Sequence, residues 1–425
     1  GDGTDNFNCS GNESSTLFDS DVVNRTTSLW YNADTVTGDR KMYTLFEEGG
    51  SGNGLNIYLY EGKLYAGAWV GNTDSGWVSI ATTANEWHHV AFVFSDHNNN
   101  EEIKMYYDGQ TSNALTIDGF NMGSHNNEDC LGATCRSTEV HLGDDGHSNA
   151  EHNDSKNLTI GGTTLSYDFT GEFDGTLDEF RVIDSVLSAA FIETTYNSEN
   201  EPTNFICEGI CLTETLSMTD TTFGFVGDSL MALTETLVLT DSVSTISNAD
   251  FPDSWSKKLL STNSALVEGS ANLNNVPILV KLTDDPDLSL TSVGENGMGI
   301  RFSSPTWDFL DFEIERYDGD ATDGSLVAWV KIPTLDFDDN TPFYIHYGQP
   351  IGNGTASLSY NNVWAGNTAK GFVVVNHLSD STDTNPATRE LKGSATSPSV
   401  SDASTKDDFS VVNMASNGQV DAKIG

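Results

Sequence analysis

The run Val90-Ala91-Phe92-Val93-Phe94 carries apolar side chains on both faces of an extended strand, and it constrains the fold more than any other stretch. Successive strand side chains point to opposite sides, so such a strand must be covered twice, as inside a sandwich. Ile103 to Tyr107 reads as the next strand, ending in the turn pair Asp108-Gly109. A further strand, Gly175 to Ile183, leads to Ser188, an N-cap for one short helix over Ala189 to Tyr196. Elsewhere the pattern is strand-like alternation between turn residues, with few long helical periods, which predicts an all-β chain. At 425 residues, 37% hydrophobic and 10% aromatic, the chain has material for two or three cores.

Three stretches, NEWHHVAFVFS from Asn85, IKMYYDGQ from Ile103 and GEFDGTLDEFRVIDSVLSAAFIETTYN from Gly171, occur in an order that resembles the laminin-G-like branch of the concanavalin A-like jelly rolls. The resemblance implies a two-sheet antiparallel sandwich over residues 1–202, of a kind that often binds carbohydrate or protein and often carries calcium. Residues 203–250 form a spacer in which LTETLSMTD (from Leu212) and LTETLVLTD (from Leu233) repeat at an interval of 21 residues. Alternation makes each a half-buried strand or a partly extended linker, and similar Thr/Leu/Asp spacers occur in prokaryotic, especially archaeal, surface proteins. Residues 251–370 carry six strand-like segments, from WSKKLL (Trp255) to PFYIHYGQP (Pro342). This ordered set resembles an uncharacterised β-sandwich family of prokaryotic secreted proteins, so a second antiparallel sandwich is expected there.

In that family arrangement a laminin-G-like jelly roll follows the second sandwich. The tail 371–425 supplies GFVVVNHLSD, DDFSVVNM and DAKIG, which resemble the opening of such a jelly roll, while the head GDGTDNF resembles what comes next. The head block therefore reads as a jelly roll lacking its first strands. Its completion comes either from its own tail or from the tail of a neighbouring copy. The expectation taken here is head-to-tail completion between copies, giving a filament, tube or surface layer. Pairing of strand 371–380 with the first block of the same copy would overturn it.

The formal charge is −44, from 63 acidic and 19 basic residues. Nucleic acid needs Lys and Arg to replace counterions, so nucleic-acid binding is excluded. Bound divalent cations, a salty medium and plain solubility remain as readings, and calcium is the expected cofactor. Cys130 with Cys135 and Cys207 with Cys211 are spaced to close small disulfide loops, with a zinc site as the rival and Cys9 left over. Sequons stand at Asn8, Asn12, Asn24, Asn153, Asn157 and Asn353, which with the cysteines point to a secreted, glycosylated surface protein. No apolar run approaches the 18 residues of a membrane span. Gly1 is neither an initiator Met nor a signal peptide, so the chain is expected to begin inside a precursor.

Oxygen-rich loops suit calcium, and one loop places Asp144, Asp145, His147, Asn149, His152 and Asp154 within eleven residues. By resemblance a second set is Asp2, Asp5 and Asp178; both sets can equally be solvated turn residues. Asp284-Asp285, Asp318 to Asp323 and Asp336 to Asp339 read as turns. No catalytic residue is expected. Jelly-roll glycosidases need paired carboxylates across a cleft. The nearest string, Glu313-Ile314-Glu315, lies in the second block, and Asp178-Glu179, being adjacent, should point to opposite faces. The pair His88-His89 alternates likewise and reads as structural. For glycan binding, as an adhesin would require, the aromatic candidates are Tyr65, Trp69 and Trp77, although burial in a core is the commoner fate of such residues.

Overall fold

The structure is a computed structural model, and it describes residues 24–37, 43–49, 53–70, 74–95, 101–120, 140–142, 158–160, 163–165, 173, 175–209, 255–348, 360–364, 371–377, 391–396, 399–401, 411–414 and 419–424. The chain is an all-β sandwich protein with few helices.

The head contributes β1 (Asn24–Ala33), β2 (Tyr43–Gly49), β3 (Asn53–Tyr60), β4 (Lys63–Val70), β5 (Asp74–Ala81), β6 (His88–Ser95), β7 (Glu101–Tyr107), β8 (Gln110–Phe120), β9 (Val140–Leu142), the small hairpin β10 (Leu158–Ile160) and β11 (Thr163–Leu165), and β12 (Gly175–Ile183). Helices α1 (Ala189–Asn200) and α2 (Pro202–Phe205) follow. The second sandwich is built from β13 (Ile206–Glu208), β14 (Ser256–Thr262), β15 (Leu273–Asp285), β16 (Arg301–Ser303), β17 (Phe312–Gly319), β18 (Gly324–Leu335) and β19 (Pro342–Tyr347), with short helices α3 (Leu290–Val293) and α4 (Tyr360–Val363). The tail adds β20 (Phe372–Asn376), β21 (Leu391–Thr396), β22 (Ser399–Ser401), β23 (Val411–Met414) and β24 (Gln419–Ile424).

The two jelly-roll sheets run β22-β23-β12-β1-β6-β7-β8 and β21-β24-β9-β2-β3-β4-β5. Tail strands enter both. β23 pairs with Gly175 to Leu177 of β12, β20 pairs with Phe180 to Ile183 of the same strand, and Val420 of β24 pairs with Leu142. Completion between copies is thereby corrected: the tail fills the missing edge of its own head. An open β12 edge is a row of unpaired amides, and the nearest strands of suitable length are those of the same chain, held close by the second sandwich. A further correction concerns the spacer. β13 lies within 203–250 yet pairs with β14, so the second sandwich begins before residue 251. The LTETL repeats lie outside the described residues.

Alternation explains the cores. Leu29, Tyr31, Val90, Phe92, Phe94, Leu177, Phe180 and Val182 point between the jelly-roll sheets and meet Phe46, Leu55, Ile57, Leu59, Leu64 and Ala66. The opposite face of β6 and its neighbours, with Ala91, Val93, Tyr106 and Ile183, packs on Phe191 and Ile192 of α1 and joins the core of the second sandwich. The doubly apolar strand is thus covered by two different domains, which share one continuous apolar cluster.

The helix starts at Ser188, whose side chain accepts from the Phe191 amide. It runs past Tyr196 to Asn200 because Thr194 and Ser198 are buried against neighbouring structure, a gain that local propensity does not report. Asp108 and Gly109 both have left-handed φ, 50° and 64°, the turn that an Asp-Gly pair favours. A Cβ on Gly109 would meet Tyr196 Cγ at 2.3 Å. Gly109→Ala is expected to destabilise the fold by about 1–3 kcal/mol, seen as a lower denaturant midpoint with an unchanged slope.

Candidate functional site

Two places in the fold carry unusual chemistry, a closed ionic cluster between the sandwiches and an aromatic cluster on the outer face of the β2–β5 sheet. The first is created by a bulge. Ser28 pairs with Arg181 and Trp30 with Asp178, so Leu29 alone faces both Glu179 and Phe180. Glu179 takes a left-handed φ of 49°, and its amide bonds to Asp178 Oδ1 at 2.9 Å. Phe180 and Val182 stay in the jelly-roll core, while Glu179 and Arg181 pair with each other on the other side. Strict alternation for Asp178-Glu179 fails here because the bulge inserts a residue.

Arg181 Nη2 donates to Glu179 Oε2 and Nη1 donates to Glu199 Oε1 of α1, each at 2.6 Å. Glu199 Oε2 also accepts from the Trp30 indole at 2.5 Å. From the tail, His377 Nδ1 lies 3.0 and 2.9 Å from the two oxygens of Glu179. From β17, Glu315 Oε2 lies 3.7 Å from the same nitrogen, and Glu313 Oε2 lies 3.6 Å from Nε2. Indoles orient these last two carboxylates: Trp329 Nε1 donates to Glu315 at 2.9 Å and Trp364 Nε1 donates to Glu313. Arg181 sits over the Trp329 ring at 4.6 Å, and His377 stacks on it with centroids 5.6 Å apart. None of these six charged side chains is more than 5% exposed.

Four carboxylates therefore face two cations in a dry interface, where charge must be paired to be tolerated. Burial pushes the His377 imidazole down, but the Glu179 and Glu315 carboxylates outweigh burial and hold it well above its usual range. Burial likewise raises Glu179, yet His377 and Arg181 bring it below the ordinary carboxylate value. For Arg181 burial works downward and Glu199 and Glu179 reverse it. One ligand atom each from Glu179, Glu315 and His377 lies within 4.8 Å of the others, a set that could hold a metal. The Glu179 oxygens are already taken up by the guanidinium and the imidazole, however, so a dication would sit against Arg181. A cavity of about 20 Å³ beside Arg181, His89, Phe191, Pro277 and Trp364 has room for about one water and for no substrate.

At the second place, Leu55, Ile57 and Leu59 of β3 and Leu64, Ala66 and Ala68 of β4 enter the core, so the alternate residues form the opposite face. There Tyr58 stacks on Tyr65 with centroids 5.0 Å apart and planes 3° apart, and Tyr60 meets Tyr65 edge-on. The Trp77 ring lies where a Cβ on Gly67 would come within 2.1 Å of it, and its indole donates to Asn56 Oδ1 at 3.0 Å. Tyr58 and Tyr65 are buried, and Tyr60 and Trp77 are half-buried at the rim. Tyr65 and Trp77 thus form a cluster of their own, apart from the jelly-roll core, while the Trp69 side chain lies outside the described residues.

The other sequence candidates divide plainly. Asp2, Asp5, Asp144, Asp145, His147, Asn149, His152, Asp154, Cys9, Cys130, Cys135, Cys211 and the sequons other than Asn24 lie outside the described residues. Asp178 is buried at the bulge, Asn24 is half-buried at the start of β1, and Cys207 is disulfide-bonded in β13. His88 bonds Thr83 and Asp108, and His89 packs on Trp30. Asp320 and Asp336 accept turn amides, whereas Asp285 is buried and bonded by Lys258. Glu313 and Glu315 converge on a histidine instead of an open cleft. Sequence reasoning missed Arg181, Glu199 and His377. Their signal was a charge inside an otherwise apolar element, as in FVVVNHL and DEFRVI.

Fold and site together define a two-sandwich β protein whose buried charges weld its parts. Residues 10–144 match the laminin-G-type model of the concanavalin A-like lectin/glucanases superfamily. No curated protein matches the chain in sequence. Among solved structures, it resembles a heptameric SAP-like pentraxin from Limulus polyphemus at 18% identity and TM-score 0.26, over 42% of this chain and 71% of that one. The binding domain of botulinum neurotoxin serotype G is similar at 12% identity and TM-score 0.31, covering 46% of this chain and 41% of that one. The CBM40 of a Ruminococcus gnavus IT-sialidase is similar at 15% identity and TM-score 0.24, over 40% and 79%.

Proposed function

We propose that the chain is a non-catalytic, secreted glycan-binding protein in which the outer face of the β2–β5 sheet receives the sugar and the second sandwich is its rigid support. The observation that carries this reading is the cluster Tyr58, Tyr60, Tyr65 and Trp77 on a face the jelly-roll core does not use. Flat aromatic rings cover the apolar face of a pyranose; Tyr60 and Trp77, half-buried at the rim, are the rings a sugar would reach, while buried Tyr58, Tyr65 and Asn56 hold them in place. The −44 charge makes neutral or cationic glycans better ligands than anionic ones. Calcium at Asp144, Asp145, Asn149 and Asp154 is part of the same proposal, since such an oxygen-rich stretch suits that ion. Among the described residues no helix is long and apolar enough to cross a membrane, in keeping with a secreted protein.

A glycan array read with and without EDTA tests the proposal, with Trp77→Ala and Gly67→Val as variants. Binding is expected to fall about tenfold or more in each, since loss of a hot-spot aromatic costs about 2 kcal/mol. Gly67→Val leaves every ring in place chemically and only pushes Trp77 off the sheet. Wild-type affinity in both folded variants would refute the assignment of this face.

A further inference from the structure

We propose that the outer face of the β14–β19–β16 sheet, in the second sandwich, is a separate binding site for a carboxylate-bearing sugar, a uronic or sialic acid residue of a short oligosaccharide. The inference is independent of the aromatic face on the jelly roll. Leu260, Phe343, Ile345 and Phe302 enter the core of the second sandwich, so the alternate residues of these strands form the opposite face. The register sets Lys257 opposite His346 and His346 opposite Arg301, which places three basic side chains in one row across three strands. In a chain with 63 acidic and 19 basic residues, that row is a local reversal of charge. Its ends, Lys257 and Arg301, stand two strand spacings apart, about 10 Å between backbones.

A strained turn holds one end of the row in place. Ser304 Oγ accepts from the Thr306 and Asp308 amides, and the Trp307 amide bonds Ser304 O at 3.0 Å. The turn puts Trp307 at a left-handed φ of 71°, a costly conformation for so bulky a residue. Its ring thereby stacks on Tyr344, with centroids 5.4 Å apart and planes 6° apart, and the Lys257 ammonium lies 3.9 Å from the indole centroid. The turn's own carboxylate, Asp308, accepts from the Thr306 hydroxyl at 2.7 Å. At the other end Arg301 turns Nη1 onto the Met298 and Ile300 carbonyls, 5.9 Å from the Trp255 ring, and forms no ion pair among the described residues. Between them His346 bonds Ser303 Oγ, and burial with the Lys257 charge pushes it down to about 4.

Lys257 is exposed, Arg301 and Trp255 are half-buried, and Phe309, bridged to Ser303, is 66% exposed. Two positioned cations answer a carboxylate, and the Trp255 and Phe309 rings answer the apolar side of a pyranose. Burial lowers both Lys257 and Arg301, which a bound carboxylate would reverse. A sugar suits the face better than an acidic peptide, which would add along an open strand edge. The outer edge of β16 is already used by its own loop, with the Leu310 amide on Phe302 O and the Ser304 amide on Asp308 O. Elsewhere the acidic surface repels an anionic sugar, so this row is where one is retained.

The test is calorimetric titration of the full chain with trigalacturonate and with sialyllactose, beside methyl-esterified trigalacturonate, lactose and hexaglutamate. Saturable binding of at least one acidic sugar is expected, weaker by about tenfold or more for its neutral counterpart. Lys257→Gln should weaken that binding about tenfold at an unchanged melting temperature, because the side chain is exposed, and Lys257→Arg should restore it. Arg301→Gln should have the same effect where it folds. Absence of binding by both acidic sugars overturns the proposal, as does wild-type affinity in Lys257→Gln. Hexaglutamate bound as tightly as the acidic sugar also overturns it, and would assign the face to acidic peptides.

Discussion

Deleting residues 371–425 is expected to abolish cooperative folding of the jelly roll, the largest effect of any change considered. The deletion strips β20 and β23 from β12 and β24 from the second sheet, leaving unpaired edges on both. It removes Phe372 and Val375 from the shared apolar cluster, each worth about 1.5–3 kcal/mol. It also removes His377 and leaves Glu179, Glu313 and Glu315 with one buried cation fewer, about 3–5 kcal/mol when a buried pair is broken. Domains of this kind are stable by about 5–15 kcal/mol in all, so the loss is of the order of the whole. Circular dichroism melts of the truncated chain should show no sharp transition for the jelly roll. A peptide of residues 371–425 added in trans should restore the transition in a concentration-dependent way. A truncated chain that melts sharply at the wild-type temperature would refute the expectation.

The second large effect is expected at Arg181. Its guanidinium bonds two carboxylates and lies over the Trp329 and Trp364 rings, all in an interface almost without solvent. Arg181→Leu keeps some apolar volume but strands Glu179 and Glu199, and should cost about 3–5 kcal/mol by denaturant unfolding. Lysine is not a substitute, because a single ammonium cannot span two carboxylates that the planar fork reaches together. Joining Arg181→Leu to Glu199→Met should recover part of the loss, because the Glu199 charge is then gone and only Glu179 remains, with His377 beside it. A double variant as unstable as the sum of the two single changes would argue against coupling through this pair.

Much of the architecture was legible in residue order. The strands around Val90, Ile103 and Leu177, the Asp108-Gly109 turn and the Ser188 cap all depend on local pattern, and they lie where alternation and turn chemistry put them. The ionic cluster was not legible. Glu313 and Glu315 were noticed as a carboxylate string, but nothing near them in sequence names His377 or Arg181 as partners, which arrive from β20 and β12. The bulge at Glu179 hid that residue further, since period-two reading assigns it the wrong side. Tyr65 and Trp77 were recognisable as aromatic, yet only the register of β3 to β5 places them together on one face.

The sequence by itself determined that this chain is all-β and that its head resembles a laminin-G-like sandwich short of strands. Those properties follow from short-range alternation and turn residues, which need no knowledge of what lies across the core. Tertiary structure alone decided which copy supplies the missing strands, what covers the second face of Val90 to Phe94, and which charges meet. These are pairings between residues far apart in sequence, 198 positions for Glu179 and His377, and their energies come from burial and desolvation that no local pattern records.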